Sequence, residues 1–508
     1  MGGNYEKGLF NQLMDVMARL EAVDQKYEDR ILKMEQAHEA QMARAREESG
    51  ERIHRLEERV GVLEKENAQL KECNRLLTDE NARLKSMMDN DSSNTSLPPS
   101  TDQKPSAKRA NEYNGRRGTE RKAGAQAGHR GSTLTARAAR EMISAGRCRH
   151  VVREMGDVES ARHASRYVVD LEVGLRVTEV RIHAGADGKL RIPEEYRSAV
   201  TYGPYVKAMA VDLYSEGVVS NDRIAAFINA MSGGGLHLSE GSVYGFCREF
   251  SRRASATVEA LEERLLGEEV VMTDATTSTV GGAQRYVRNF SVRDTVVYRA
   301  MRGKSLSALE GLCFLARFAG CLVHDHETAL YHFGTRHGEC NVHLLRYLRK
   351  NTQDTGNGWS RRMASFLCSM NRARKKAMER GEGAFSAEAL IRYEARYAQI
   401  IGEGRTENRK TRHRYAKRDE RALLNRLEKY MANHLLFLHD FAVPFDDNMS
   451  ERDLRKVKNR EKMAGGFRKA SGQEMYCNIL TIVETLKRRR MQLFENIRLF
   501  FMGTPVSL

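Results

Sequence analysis

Leucine recurs at every seventh position from Leu56 through Leu63, Leu70 and Leu77 to Leu84, and no other pattern constrains this chain as tightly. The companion positions of the repeat are Ile53, Val60, Asn67, Asn74, Asn81 and Met88. Seam residues spaced three and four apart over five heptads, with no proline, specify a left-handed coiled coil. Leucine at one seam position favours two strands, and asparagine at the other fixes register and strand number at some cost in stability. The expected dimerisation residues are therefore Leu56, Leu63, Asn67, Leu70, Asn74, Leu77, Asn81 and Leu84. They lie in a helical region, 1–90, whose heptads run over 53–88.

The zipper stops at DNDSSNTSLPPSTD, where Pro98-Pro99 begins an extended linker, 91–135. Arg116, Arg117, Arg121, Lys122 and Arg130 stand in it with few acids between them, a composition that does not fold alone and suits phosphate contacts. The whole chain carries 84 Lys and Arg against 68 Asp and Glu, a net charge of +16, which points to a polyanionic partner. At 508 residues and 41% hydrophobic it has the material for several cores, so general disorder is excluded. No run of about 18 uncharged apolar residues appears, so no membrane-spanning helix is expected. The start, MGGNYEKGLF, has no signal-peptide character, and eight scattered cysteines form no C-x-x-C pair. The expectation is an intracellular chain with reduced thiols.

Residues 136–200 alternate in the manner of strands, in Tyr167 to Val173 and Arg176 to Ile182, and read as a small β-rich domain. Cys148, His150, His163 and His183 lie in or beside it, but two close-spaced ligand pairs are missing, so structural zinc is not expected. Residues 201–265 read as helices: Ile224, Phe227, Ile228 and Met231 form one apolar face, Gly233-Gly234-Gly235 breaks it, and Ser239 caps a second helix. Helix, short turn and helix resemble a helix-turn-helix DNA-binding unit, although two ordinary packed helices look the same.

From Glu268 the pattern changes. Glu269 to Asp274 is an apolar run ending in an acid, Gln284 to Val292 and Thr295 to Met301 follow as strands, and Ser305 to Phe318 reads as a helix. Gly320 to Asp325 is again a short strand ending in an acid. Two carboxylates placed this way suit hard divalent cations, which prefer oxygen ligands. With a third they make a two-metal site for phosphodiester chemistry. In the last segment Asp447 or Asn448 caps a helix with Glu451 in its first turn, and Arg455 and Lys458 share its face. A carboxylate for metal beside cations for phosphate suits DNA cleavage.

Residues 444–472, PFDDNMSERDLRKVKNREKMAGGFRKASG, resemble the C-terminal signature of the insertion-sequence-66 family of bacterial transposases at Pro444, Asn448, Glu451, Arg452, Leu454, Arg455, Val457, Lys458, Gly465, Gly466, Phe467 and Arg468. Leu97 to Asp102, Gly128 to Gly131 and Tyr202-Gly203-Pro204 are similar to the family as well. The resemblance implies a multidomain chain: N-terminal coiled coil, small ribbon-like domain (136–200), helical DNA-binding segment (201–265), and an α/β RNase H-like catalytic core. That core would comprise 266–344 and the C-terminal helices 441–508, separated by a basic helical insertion, 345–440. It further implies that Asp274, Asp325 and Glu451 are the catalytic and metal-binding acids, holding two Mg(II) or Mn(II) ions that cut element ends and join them to target DNA. The partners implied are double-stranded DNA, a second copy of the chain and small accessory proteins of the element, in the bacterial cytoplasm on the nucleoid.

Departures accompany the match. Asp274 is followed by Ala275-Thr276, where the family commonly has Glu-Thr, and the ribbon's cysteine pairs are missing. Cys340 and His343 keep a C-x-x-H spacing, a half-site that without partners reads as packing. In the insertion, Arg361, Arg362, Arg372, Arg374, Lys375 and Lys376 form one cationic cluster. Arg409, Lys410, Arg412, Arg414, Lys417 and Arg418 form another. Arg412, Arg414, Lys417, Arg418, Arg452, Arg455, Lys458 and Arg468 join the linker arginines as expected DNA contacts. Two rival functions use the same features: an RNase H-like nuclease or resolvase that cuts without joining, and a non-catalytic coiled-coil DNA-binding protein derived from a transposase.

Overall fold

The computed structural model describes residues 26, 49–91, 94–95, 134–153, 164–187 and 189–508. The linker residues Arg116, Arg117, Arg121, Lys122 and Arg130, and His163, lie outside that set, as do the side chains of Leu56 and Ile53. Two compact units divide the chain: residues 1–117 with 321–447, and 118–320 with 448–508.

The first unit opens with α1, Ser49–Met88, a single unbroken helix through the heptad region. Leu63 and Leu70 are exposed on it, at 44% and 38% of their surface, whereas Leu84 is buried. Its C-terminal end is fastened to its own unit: Ser86 hydrogen-bonds Asp354 at 2.6 Å, and His413 meets Asp79 at 3.0 Å.

The second unit then takes α2 (Ala136–Ser144), α3 (Pro204–Ser215), α4 (Asn221–Met231) and α5 (Glu240–Leu265). Ser220 and Ser239 cap α4 and α5 by accepting backbone N–H groups, as the sequence predicts for Ser239. The strands expected in Tyr167 to Val173 and Arg176 to Ile182 do not form. Val168 and Val177 are each 94% exposed, so the alternating pattern there has no surface on which to bury a face.

Three antiparallel strands follow: β1 (Val270–Val280), β2 (Ala283–Ser291) and β3 (Val296–Met301). Gly281 and Gly282, at φ 55° and 80°, make the two-residue turn whose positive φ values fit a tight hairpin. β1 runs past Asp274 to Val280, so this acid sits within a strand rather than at its end. Thr276, Thr277 and Thr279 carry the strand onward, because β-branched residues pack well on a pleated surface. The expected helix from Ser305 to Phe318 is two short ones, α6 (Leu306–Glu310) and α7 (Cys313–Arg317), interrupted at Gly311 and Leu312.

Returning to the first unit, β4 (Cys321–His324) and β5 (Arg336–Glu339) pair in parallel. Five helices succeed them: α8 (Asn341–Thr355), α9 (Trp359–Glu379), α10 (Ala387–Arg409), α11 (Arg414–Lys429) and α12 (Met431–His439). They occupy the stretch expected from the sequence to be an insertion and pack around Leu344, Leu348, Met363, Leu367, Tyr397, Leu424 and Phe437. Trp359, the only tryptophan, is fully buried and donates its indole N–H to Glu420 at 2.6 Å. Burial alone would raise the Glu420 carboxyl. Hydrogen bonds from Thr411, Trp359, Asn357 and Asn408 outweigh it and hold the group below its ordinary value.

The chain ends in the second unit with α13 (Asn448–Asp453), α14 (Arg455–Ala464), α15 (Ala470–Arg488) and α16 (Leu493–Met502). α15 lies along β3: Thr481 Oγ1 accepts the Tyr298 N–H at 2.9 Å, and Thr485 Oγ1 that of Val296 at 3.2 Å. Helix threonines thus satisfy strand amides that would otherwise be buried without partners.

Candidate active site

Asp274 pairs with Asn289 across β1 and β2. Asn289 is fully buried and uses its whole amide. Its Oδ1 accepts the Asp274 backbone N–H at 3.1 Å and the Ser450 hydroxyl at 3.2 Å. Its Nδ2 donates to the Ser450 carbonyl at 3.0 Å and to Ser291 Oγ at 3.1 Å. Ser450 immediately precedes Glu451, so one side chain ties the strand of the first expected acid to the helix of the third. Asp453 supplies a second fastening. It accepts from Ser291 Oγ at 2.6 Å and pairs with Arg488, which also donates to the Thr295 carbonyl at 3.0 Å. Glu451 lies between these two anchor points and, like Asp274, keeps part of its surface exposed.

The helix expected to continue from Glu451 through Lys458 is interrupted at Leu454, which is fully buried. Leu454 N–H still bonds Ser450 O and Lys458 N–H bonds Leu454 O, so i to i−4 bonds continue on both sides of the interruption. Arg452, Arg455 and Arg468 are exposed and Lys458 half-buried. The Gly465-Gly466 pair turns the chain. Gly465 closes α14 at φ 64°, and a Cβ on Gly466 would stand 2.3 Å from the Thr279 carbonyl. That close approach lets Phe467 N–H bond Thr279 O at 2.7 Å, docking the loop on the end of β1.

Asp325, in the first unit, follows β4 between two histidines. His326 takes a left-handed backbone, φ 72°, uncommon for a residue with a Cβ. Glu339, at the end of β5 and almost wholly buried, holds it there: Oε1 meets His326 Nδ1 at 2.6 Å and accepts Tyr331 OH at 2.5 Å. Its other oxygen accepts from Arg426 at 2.7 Å and from His434 at 3.1 Å. Burial would raise the Glu339 carboxyl, but hydrogen bonds from His326 and His434 and the Arg426 charge hold it well below the carboxylate range. Burial pushes His434 below its ordinary value, despite the neighbouring carboxylate. Its neutral ring donates Nε2–H to Glu339 and accepts the Tyr397 hydroxyl at Nδ1, 2.9 Å away.

The C-x-x-H pair has a third neighbour. Cys340, His343 and Asp447 are buried, and their donor atoms all lie within 4.8 Å of one another.

Of the cationic clusters, Arg412, Arg414 and Arg418 are exposed and Lys417 half-buried, its Nζ donating to the Arg409 carbonyl at 2.8 Å. Arg374 is buried instead, donating to the carbonyls of Phe441 and Val443, and Arg362 is held by Glu403 and Glu407. Those two serve the fold of the insertion.

Sequence reasoning did not find Asn289, Ser450, Asp453, Glu339 or His326. A lone Asn in a strand or a Glu at a strand end carries no spacing signal, and their partners lie far along the chain.

The model of the family described as IS66 family transposases matches residues 200–475, a stretch that includes Asp274, Asp325 and Glu451. No curated protein matches the chain. No helix among the described residues is long and apolar enough to cross a membrane.

Proposed function

The chain belongs to the IS66 family of transposases, and from that premise we propose a cut-and-join reaction on DNA carried by Asp274, Asp325 and Glu451. One observation supports this choice of acids above the others. Asn289 fastens the Asp274 strand to Ser450, directly before Glu451, so two of the three acids are held by a single buried side chain. A position requiring that much order from its backbone is more readily explained by chemistry than by packing. The succession along the chain, three antiparallel strands, short helices, two parallel strands, a helical insertion and C-terminal helices, also supports an RNase H-like core.

The donor set suits Mg(II) or Mn(II). Asp274, Asp325 and Glu451 are half-exposed carboxylates, oxygen ligands that hard cations prefer. Two such ions, when bound, supply activation of the attacking oxygen and charge stabilisation of the leaving one. The protein holds the three carboxylates and grips phosphates through Arg452, Arg455, Lys458 and Arg468. Water's oxygen displaces the 3′-oxygen at the element end, and the freed 3′-hydroxyl then displaces a 3′-oxygen in the target, so each bond broken is replaced by one formed. Asn289 and Glu339 keep the backbone beside the acids from drifting. The exposed Leu63 and Leu70 of α1 await a second copy, pairing two chains on double-stranded DNA in the cytoplasm of a bacterium.

The test is strand cleavage and joining on labelled element-end DNA with magnesium or manganese. Wild type is expected to cut and join, while Asp274→Ala, Asp325→Ala and Glu451→Gln bind DNA and do neither. Cutting without joined product favours the nuclease reading. Binding without either favours the non-catalytic one. Survival of cleavage in Glu451→Gln removes that residue and turns attention to Asp446, Asp447 and Glu461.

A further inference from the structure

We propose that Cys340, His343 and Asp447 form a binding site for a borderline transition-metal ion of the zinc type, separate in chemistry from the hard-cation acids. A thiol, an imidazole and a carboxylate converge there, every donor atom within 4.8 Å of the others. Three atoms so spaced share a point no more than about 2.8 Å from any of them, and zinc bonds run about 2.0–2.3 Å. Shifts of well under an ångström in side-chain position close the set on an ion. His343 Nδ1 and Asp447 Oδ1 stand 3.9 Å apart, beyond a hydrogen bond and about half an ångström wider than two such ligands on one tetrahedral ion.

The framework around the donors is fixed without any ion. Cys340 precedes α8 and His343 lies in its first turn, so spacing of three places both on one side of the helix start. Asp447 comes from more than a hundred positions further along, positioned by two backbone contacts. Asn341 N–H donates to the Phe445 carbonyl at 3.0 Å, and Asp447 N–H donates to Cys340 Sγ at 3.4 Å. A backbone N–H on sulfur is the outer-shell contact that orients a metal-bound thiolate.

Ligand softness separates this set from the acids. A thiolate selects zinc, cobalt or copper, whereas magnesium and manganese favour oxygen. Three protein ligands leave a fourth position for water or another oxygen, as in exchangeable rather than closed structural sites.

Cobalt(II) titration of the reduced, chelator-treated full chain tests the site without reference to DNA cleavage. One equivalent is expected to give visible d–d bands and a near-ultraviolet thiolate-to-cobalt charge-transfer band, with zinc displacing cobalt and magnesium failing to. Cys340→Ser removes the charge-transfer band, and Asp447→Asn and His343→Ala each weaken binding at least about tenfold. Asp274→Ala leaves band and affinity unchanged, so failure of the catalytic reading does not disturb this one. Circular dichroism melts of the ion-free variants show that each is folded. A charge-transfer band that persists in Cys340→Ser, that vanishes in Asp274→Ala, or that never appears overturns the proposal.

Discussion

Asn289 holds Ser450 at both of its polar ends, donating to the carbonyl oxygen at 3.0 Å while accepting from the hydroxyl at 3.2 Å. The same oxygen takes the Asp274 backbone N–H, so strand and helix share one buried amide.

Replacing Asn289 by alanine leaves the Ser450 carbonyl and the Asp274 N–H buried without this partner, at a cost of about 2–4 kcal/mol in unfolding free energy. Asn289→Asp keeps the shape but loses the two donated bonds. In both variants turnover is expected to fall about 100-fold or more with DNA affinity nearly unchanged, since misplacing a catalytic group by about an ångström has that effect. Single-turnover cleavage beside a binding isotherm separates the two quantities. Equal losses in both would mean that Asn289 serves the fold in general and not the placement of the acids.

The Glu339 network sets a pH dependence. His434 is held below its ordinary value by burial, so between about pH 6.5 and its folded value the unfolded chain binds a proton that the folded chain refuses. Burial lowers His337 in the same sense. Their contribution is complete above about pH 6.5 and shrinks as pH falls. Glu339, depressed in the fold, adds a further loss below about pH 4.3, where only the unfolded carboxylate takes up a proton. Urea melts between pH 8 and 2 should show stability falling in these two stages. Glu339→Gln shrinks the lower one, to which the depressed Glu420 also contributes, and, by stranding Arg426, costs about 3–5 kcal/mol at neutral pH. A flat profile from pH 7.5 to 5 would refute the neutral, buried His434.

What the sequence reveals about this fold divides along the length of chain each feature needs. The helix through the heptads, the cap at Ser239 and the approximate bounds of β2 and β3 depend on neighbours within a few residues, and the sequence predicts them. Asp274 at a strand end is misread because the threonines after it look like loop polarity, yet their branched Cβ atoms extend β1. The strands in Tyr167 to Val173 and Arg176 to Ile182 are misread for the opposite reason: alternation without a covering surface does not make a sheet. Cys340 and His343 are legible as a half-site, but Asp447, far downstream, is not. Nor is Glu339 legible, since His326, Arg426 and His434 reach it from three separate segments.

The heptad-bearing helix α1 divides by exposure. Leu63 and Leu70 face solvent, whereas Leu84 is buried beside the Ser86–Asp354 and Asp79–His413 contacts. Leu63→Glu with Leu70→Glu should therefore convert a dimer to a monomer in sedimentation without lowering the melting temperature of the remainder. Leu84→Ala should cost about 2–3 kcal/mol in folding, as a buried leucine does. A dimer that withstands both glutamates would move assembly to another surface.

The cations of the insertion separate by their contacts. Arg412, Arg414 and Arg418 lie exposed around the start of α11, whereas Arg374 is spent on the carbonyls of Phe441 and Val443. If the exposed three meet DNA, each phosphate lost to alanine lowers the slope of log affinity against log salt by about 0.9, because each contact releases condensed counterions. The triple variant should flatten the slope by about 2–3 and weaken binding alike on element-end and unrelated DNA, since phosphate contacts carry no sequence information. Arg374→Ala should leave the slope untouched and lower the melting temperature instead, because two buried carbonyls lose their donor. Binding isotherms at several salt concentrations check both. An unchanged slope in the triple variant would assign these arginines to solvent and leave DNA affinity to the linker and the C-terminal helices.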